Sequence, residues 1–449
     1  MKENRRAILE KSVLLVVCLL LSIVPVWAQQ DGTDGKAIEG EGQVTTDEKV
    51  DELERQIQVL AEELEKLKLG DVAEEKPPSG QHGFAPSASK VYGVDKGVAI
   101  GGYGEVIFQD FADQRDDGSA SGQLNQFDFL RAIVYFGYKW NDRILFNSEL
   151  EFEHASTGKK GEVSVEFAYV DFFLRPEVNL RGGLVLIPVG FVNELHEPPV
   201  FLGATRPEVE RIIIPTTWRE NGAGAFGDIG PFGYRTYIVA GLTSTGFSSS
   251  SALRGGRQKG SKSLAEDLAW TGRFDLTEVP GLLLGTSFFI GSSGQGQQTE
   301  TGDIIGGRVT LVDAHAQYNH RGWQLRGLFA RANIGNAEQI NRALGFTGTD
   351  SIGSEFGGGY VEAAFDVMSL WAGGSSWALT PFVRYEKYDT QTKVPTGFER
   401  NPANDRSLWT VGLDLKPHYS VVIKLEFQNF NNQADSGVNQ WNVALGYMF

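Results

Sequence analysis

The sequence predicts an all-β protein: a transmembrane, antiparallel, up-and-down β-barrel of about sixteen strands, preceded by a short α-helical coiled coil. Three observations predict it. The amino-terminus reads as an export signal. No later segment reads as a membrane-spanning helix. The last strand alternates apolar with small or polar residues up to Phe449. An exported membrane protein without spanning helices must close a barrel, because lipid offers no partner for backbone N–H and C=O groups.

The elements follow in chain order. Lys2, Arg5, Arg6 and Lys11 flank the start of an apolar run from Val13 to Val26, and Val26-Trp27-Ala28 supplies small residues for cleavage, so residues 1–28 are predicted to be a signal peptide. Cys18 lies inside it, which would leave the mature chain without disulfide or thiolate chemistry. Residues 29–46 are rich in Gly, Asp, Thr and Gln and are expected to be a disordered acidic segment. Val50, Leu53, Ile57, Leu60, Leu64 and Leu67 then recur at alternating spacings of three and four, an a/d seam that predicts a coiled-coil helix over 47–70. A lone amphipathic helix would show the same seam. Pro77-Pro78 forbids its continuation, and 71–97 reads as a polar linker before a barrel domain at 98–449.

Strands are predicted at 98–111, 126–140, 144–156, 162–175, 178–191, 218–227, 232–242, 269–278, 282–293, 308–319, 323–335, 357–368, 376–389, 406–417, 420–430 and 439–449. Tight links such as Asn141-Asp142-Arg143, Pro176-Glu177 and His320-Arg321-Gly322 alternate with long polar ones such as 112–125, 192–217 and 243–268. Up-and-down topology puts short turns at one rim and long loops at the other. Trp441, Val443, Leu445, Tyr447 and Phe449 share one face of the final strand, and Asn442, Ala444, Gly446 and Met448 the other. A strand ending on Phe resembles the carboxy-terminal signature of bacterial outer-membrane barrels.

Charge bounds the interior. The net charge is −16; residues 29–89 and 90–449 each carry −9, which argues against nucleic-acid binding. Glu149, Glu151 and Glu153 oppose Leu150 and Phe152; Lys424 and Glu426 oppose Ile423, Leu425 and Phe427. A Lys or Arg facing lipid costs about 2–4 kcal/mol at mid-membrane, so these charges are expected to point inward. Charges on so many strands are expected to exceed what a dry core can pair. The interior is therefore predicted to be a water-filled lumen, as about sixteen strands allow.

The segment 192–217 combines Glu194, Glu197, Arg206, Glu208, Glu210 and Arg211 with the apolar Val200-Phe201-Leu202 and Ile212-Ile213-Ile214, and Arg219 follows it. So much apolar surface predicts that this loop folds back into the barrel and constricts it. Its charges would then either tune passage or form salt bridges that fix the loop. Nothing predicts an enzyme. His82, His154, His196, His315, His320 and His418 are scattered without metal-ligand spacing, no nucleophile elbow occurs, and Gly101-Gly102-Tyr103-Gly104 opens no helix. No cofactor is expected.

The run Asn179 to Phe191 with its Pro188-Val189-Gly190, followed by Glu194 and by Glu208-Val209-Glu210-Arg211, resembles the phosphate-selective porin O and P family, as does the opening strand at Gly101–Glu105. The resemblance implies a homotrimeric outer-membrane porin of a Gram-negative-type bacterium, with sixteen strands, an in-folded third loop and the amino-terminal region in the periplasm. Phosphate selectivity in that family depends on channel-lining arginines and lysines. Here no such ladder matches residue by residue, and the acidic barrel favours cations or neutral solutes. The expected function is passive diffusion of small hydrophilic solutes or ions across outer-membrane lipid. The alternatives are an envelope anchor that tethers the cell wall through the coiled coil, and a barrel-embedded enzyme.

Overall fold

The computed structural model describes residues 80–449 apart from 157, 159, 301, 304 and 371–376. The expected signal peptide, acidic segment and coiled coil lie outside the described residues. Sixteen strands occur: β1 (Gly97–Phe111), β2 (Gln126–Asn141), β3 (Ile144–Glu153), β4 (Val163–Arg175), β5 (Val178–Leu186), β6 (Arg219–Ile229), β7 (Phe232–Ala240), β8 (Leu268–Leu276), β9 (Leu282–Ser292), β10 (Arg308–His320), β11 (Trp323–Ile334), β12 (Glu355–Phe365), β13 (Ala378–Lys393), β14 (Asp405–His418), β15 (Val421–Asn432) and β16 (Gln440–Met448). Each pairs antiparallel with its sequence neighbours, and β1 pairs with β16, so the sheet closes on itself. Closure leaves no sheet edge. No described helix is long and apolar enough to cross a membrane.

The period of two decides which face is which. On β16, Trp441 is 50 % exposed while Asn442 is 0 % exposed. Exposed Val361, Trp409, Val411, Ile423 and Leu445 share the outer wall. Buried Tyr103, Glu149, Arg181, Arg273, Glu386 and Lys424 point inward. The last residue completes the seam: Gly102 N donates to Phe449 O at 3.0 Å, and Phe449 N donates to Gly102 O at 2.8 Å.

Several strands end earlier than their residues predict, and two of these endings matter for the site. β3 stops at Glu153 because His154 and Ala155 take positive φ, 54° and 53°. β5 stops at Leu186 rather than at 191. Pro188 has no N–H for the ladder, and Gly190 at φ +70° turns the chain into the barrel. A Cβ at Gly190 would stand 2.7 Å from a Glu210 carboxylate oxygen, so the close approach also requires glycine.

Part of the expected linker lies inside the barrel. Residues 80–96 run along the inner wall at the short-turn end and include the short helix α1 (Lys90–Gly93). Phe84, buried, packs against Phe167 and Tyr169 with ring centroids 5.1 and 5.4 Å apart. Val91 packs with Ala99 and Leu145. The segment's apolar residues are few and unevenly spaced, so no periodicity announces them.

Candidate functional site

The loop between β5 and β6, residues 187–218, folds into the barrel and crosses it. Its outgoing limb is pinned on one wall: Gly190 N donates to Ser287 Oγ and Asp313 Oδ2, both at 3.2 Å, and Arg273 donates to Gly190 O. Its middle rests on β14 and β15. Lys416 donates to Pro199 O at 2.7 Å, and Lys424 donates to Phe201 O and Gly203 O at 2.8 and 2.7 Å. Ala204 N and Thr205 Oγ1 donate to Glu426 at 2.9 and 2.8 Å. The returning limb holds the short helix α2 (Glu208–Ile212). Val209 N donates to Glu386 at 2.9 Å, and Tyr388 OH to Glu208 at 3.2 Å.

Glu210 joins the two limbs. It accepts from Phe191 N at 2.8 Å, Val192 N at 2.6 Å and Tyr360 OH at 2.6 Å. Asn193 closes the neck, donating to Ile187 O and Trp218 O at 2.7 and 2.8 Å and accepting from Trp218 N at 2.8 Å. Val192, Val209, Ile213, Ile214 and Trp218 are fully buried, and Trp218 lies 4.5 Å from the Phe289 ring. The apolar patches that predicted an in-folded loop are what hold it.

The remaining predicted residues fall into place around it. Glu149 lies 3.1 Å from His196 Nε2, Glu151 3.5 Å from Arg131, and Glu194 3.0 Å from Arg235. Arg211 pairs with Glu208 at 2.6 Å, and Arg219 with Glu166 at 2.5 Å. Glu153 is half-buried near the long-loop rim. Arg206, also half-buried, has a buried Nη2 without a hydrogen-bond partner among the described residues.

The expectation that luminal charges exceed what a dry interior can pair does not hold at mid-barrel. Arg181 grips Asp171 bidentately at 2.7 and 2.8 Å, and Arg384 bridges Glu362 and Glu386, both at 3.0 Å. Arg273 lies 2.8 Å from Asp275, and His315 is 2.6 Å from Asp313. These partners sit on neighbouring strands or two residues apart on one strand, where inward side chains meet. Reasoning from sequence missed them. The alternation in Phe382-Val-Arg-Tyr-Glu386 contained the signal, but only the register shows which charges face each other.

Residues 80–96 also touch the loop. Glu197 accepts from Ser87 N at 3.1 Å and Ala88 N at 2.8 Å, and Ser87 Oγ donates to Phe449 O at 2.6 Å. Burial raises the Glu197 carboxyl to about 7, against the opposing pull of its two backbone donors. The folded arrangement therefore binds a proton at pH values where an opened chain does not. It is stabilised as pH falls through about 7 and loses that stability as pH rises. The melting temperature in detergent should drop between about pH 5 and 8, reflecting on the order of 3 kcal/mol for the full shift. Glu197→Gln should flatten that slope; an unchanged slope would refute the assignment.

A second loop, 241–267, reaches across the long-loop end. Thr390 Oγ1 and Asn404 Nδ2 donate to Ser249 O at 2.5 and 3.0 Å, which ties it to the far wall. It brings Arg254 and Arg257 beside the constricting loop. Arg254 donates to Arg211 O and Thr216 O at 2.8 and 3.0 Å, and Arg257 donates to Thr216 O and Thr217 O at 2.6 and 2.9 Å. Burial lowers the Arg254 guanidinium to about 9, with Arg257, Arg211 and Arg206 adding repulsion. Burial likewise lowers Arg257 to about 10. The loop had read only as a long polar link, so these two arginines were not among the expected site residues.

The chain is 37 % identical over 379 residues to an uncharacterised protein of Aquifex aeolicus (strain VF5), covering 82 % of this chain and 83 % of that protein. No family model matches. Among solved structures it is similar to OmpF of Salmonella typhi in complex with daunomycin, with TM-score 0.50, 12 % identity, and 79 % of this chain and 98 % of that one covered. It is equally similar to the outer-membrane channel DcaP of Acinetobacter baumannii, with TM-score 0.50, 11 % identity, and 78 % and 97 % covered. At such identities the likeness is one of fold.

Proposed function

Given that the chain belongs to the family of the uncharacterised Aquifex aeolicus protein, we propose that it is an outer-membrane porin through which small hydrophilic solutes diffuse passively, with anions favoured. The observation that carries this reading is the loop 187–218, which spans a closed sixteen-stranded barrel and is bonded to β3 and β10 on nearly opposite sides as well as to β15. A barrel built only to anchor has no need of such a crossing. The fold shared with the channel DcaP supports the reading. In this reading the short-turn rim faces the periplasm and the long loops face outward.

Net acidity favours cations, but local geometry outweighs it. The carboxylates Glu149, Glu194, Glu197, Glu208 and Glu210 are occupied by an imidazole, guanidiniums or backbone N–H groups. Arg206, Arg211, Arg254 and Arg257 crowd the outer approach; Glu208 pairs with Arg211, and Glu166, Glu220 and Glu162 lie near Arg257. An approaching ion therefore meets guanidiniums first. Phosphate in particular is not part of the proposal, since Arg254 and Arg257 spend their donors on loop carbonyls. The reading also takes 1–28 as a signal peptide, 47–70 as a periplasmic coiled coil and the assembly as a homotrimer.

The test is planar-bilayer recording of the purified protein. Stepwise conductance is expected, with a reversal potential on the anion-selective side. A guanidinium about 7 Å from a passing ion contributes about 0.6 kcal/mol in a water-like dielectric. Arg206→Gln with Arg211→Gln should thus cut the anion-to-cation permeability ratio several-fold. An unchanged ratio would remove these arginines from the selectivity assignment, and absence of steps would remove the pore.

A further inference from the structure

The lumen keeps one set of unspent polar side chains on the periplasmic side of the loop. On β10 and β11, Gln317 faces Arg326 across the ladder, and Asn319 faces Gln324 on the next inward rung. Facing residues lie about 5 Å apart and successive inward rungs about 7 Å apart, so the four groups outline a small rectangle. With Glu362, which faces Arg326 on β12, they line a cavity of about 60 Å³ roofed by Val200 and Leu202 of the constricting loop. Among the described residues, no side-chain hydrogen bond or ion pair reaches the three amides or the Arg326 guanidinium, whereas the neighbouring Glu362 is held by Arg384 at 3.0 Å. Arg326 is oriented by stacking, with its guanidinium carbon 5.0 Å from the Phe191 ring centroid. Asn319 and Gln324 also border a larger recess that opens at the short-turn rim beside Arg321 and Trp323.

Other amides on the inner wall are consumed: Asn147, Gln428 and Asn442 are all hydrogen-bonded. A guanidinium fork with free donors matches a carboxylate. Primary amides donate and accept together, which matches hydroxyl groups. A volume near 60 Å³ holds about four to six water molecules, which suits displacement by a three- or four-carbon molecule. We propose that Gln317, Asn319, Gln324 and Arg326 form a binding subsite for short hydroxycarboxylates. Arg326 takes the carboxylate and the amides take the hydroxyls. The proposal rests on the porin reading for its role in passage, but not for binding itself.

The experiment is calorimetric titration of the detergent-solubilised full protein with three matched probes: glycerate, propionate (the same charge without hydroxyls) and glycerol (hydroxyls without charge). Glycerate should bind about tenfold or more tightly than either. Arg326→Gln should abolish the advantage over glycerol, and Asn319→Leu the advantage over propionate. Equal binding of glycerate and propionate by the wild-type protein, which needs no variant to fold, would overturn the proposal. So would glycerate binding untouched by both substitutions. Bilayer recording in parallel separates the two readings. Conductance without glycerate preference sinks the subsite alone; glycerate binding without conductance sinks the porin and leaves the subsite.

Discussion

Replacing Glu210 by alanine is expected to free the in-folded loop and raise single-channel conductance. The carboxylate is fully buried and accepts three hydrogen bonds, from Phe191 N, Val192 N and Tyr360 OH. Two of these donors belong to the outgoing limb, while Glu210 itself rides on the returning one. Without it, three donors are left in a dry environment, each costing about 1–3 kcal/mol. Burial also raises the Glu210 carboxyl above the usual range, so part of its contribution is offset by its own desolvation. A net loss of about 3 kcal/mol is therefore expected. The remaining anchors at Lys424 and Glu426 keep the middle of the loop on the wall, so the limbs should separate without the barrel opening. Glu210→Gln keeps one acceptor oxygen and should fall between. Bilayer recording reads the conductance, and chemical denaturation the stability. A variant with wild-type conductance and a lowered melting point would mean that the limbs stay together without their tie.

Arg384→Met is expected to cost more and to act on the barrel itself. Arg384 is 1 % exposed and lies 3.0 Å from both Glu362 and Glu386. It also donates to Leu202 O at 3.2 Å and Thr205 O at 3.3 Å. Removing the cation leaves two carboxylates on diagonal positions of neighbouring strands without their shared counter-charge. Breaking a buried pair in this way costs about 3–5 kcal/mol. The folded fraction should fall, as read by heat-modifiable gel mobility. Adding Glu362→Gln and Glu386→Gln should restore most of it, because neutral amides tolerate one another. If the triple variant is no better than the single, the packing of the arginine stem matters more than its charge.

Much of the wall was legible because a barrel strand has only two environments. Lipid selects one face and the interior the other, and residues such as Trp441 and Asn442 report which is which. The long-loop and short-turn rims were legible from the lengths of the links. The loop 192–217 was legible as in-folded because Ile212, Ile213 and Ile214 could not stay in water, although its first residues, 187–191, read as strand. Its partners were not legible. His196 and Glu149 meet across 47 intervening steps of chain, and Arg384 meets Glu362 across 22. Such pairs follow from register and the loop's path, and neither is written in local composition. Residues 80–96 escaped notice for a related reason: Phe84 stands alone among small and polar residues and Val91-Tyr92 follows a lysine, so no period marks them, and only their packing inside the barrel explains them. Net charge alone does not decide an ion preference, since it counts carboxylates without asking which are already engaged.

The bond from Ser87 to the carbonyl of Phe449 joins positions 362 apart in sequence. In a chain made from one end to the other, β1 waits for its second partner, β16, until every strand between them has been made. In that interval its free edge is the kind of surface that invites aggregation. Ser87 bonds to both sides of the same seam, so seating the inner segment and closing the sheet are coupled.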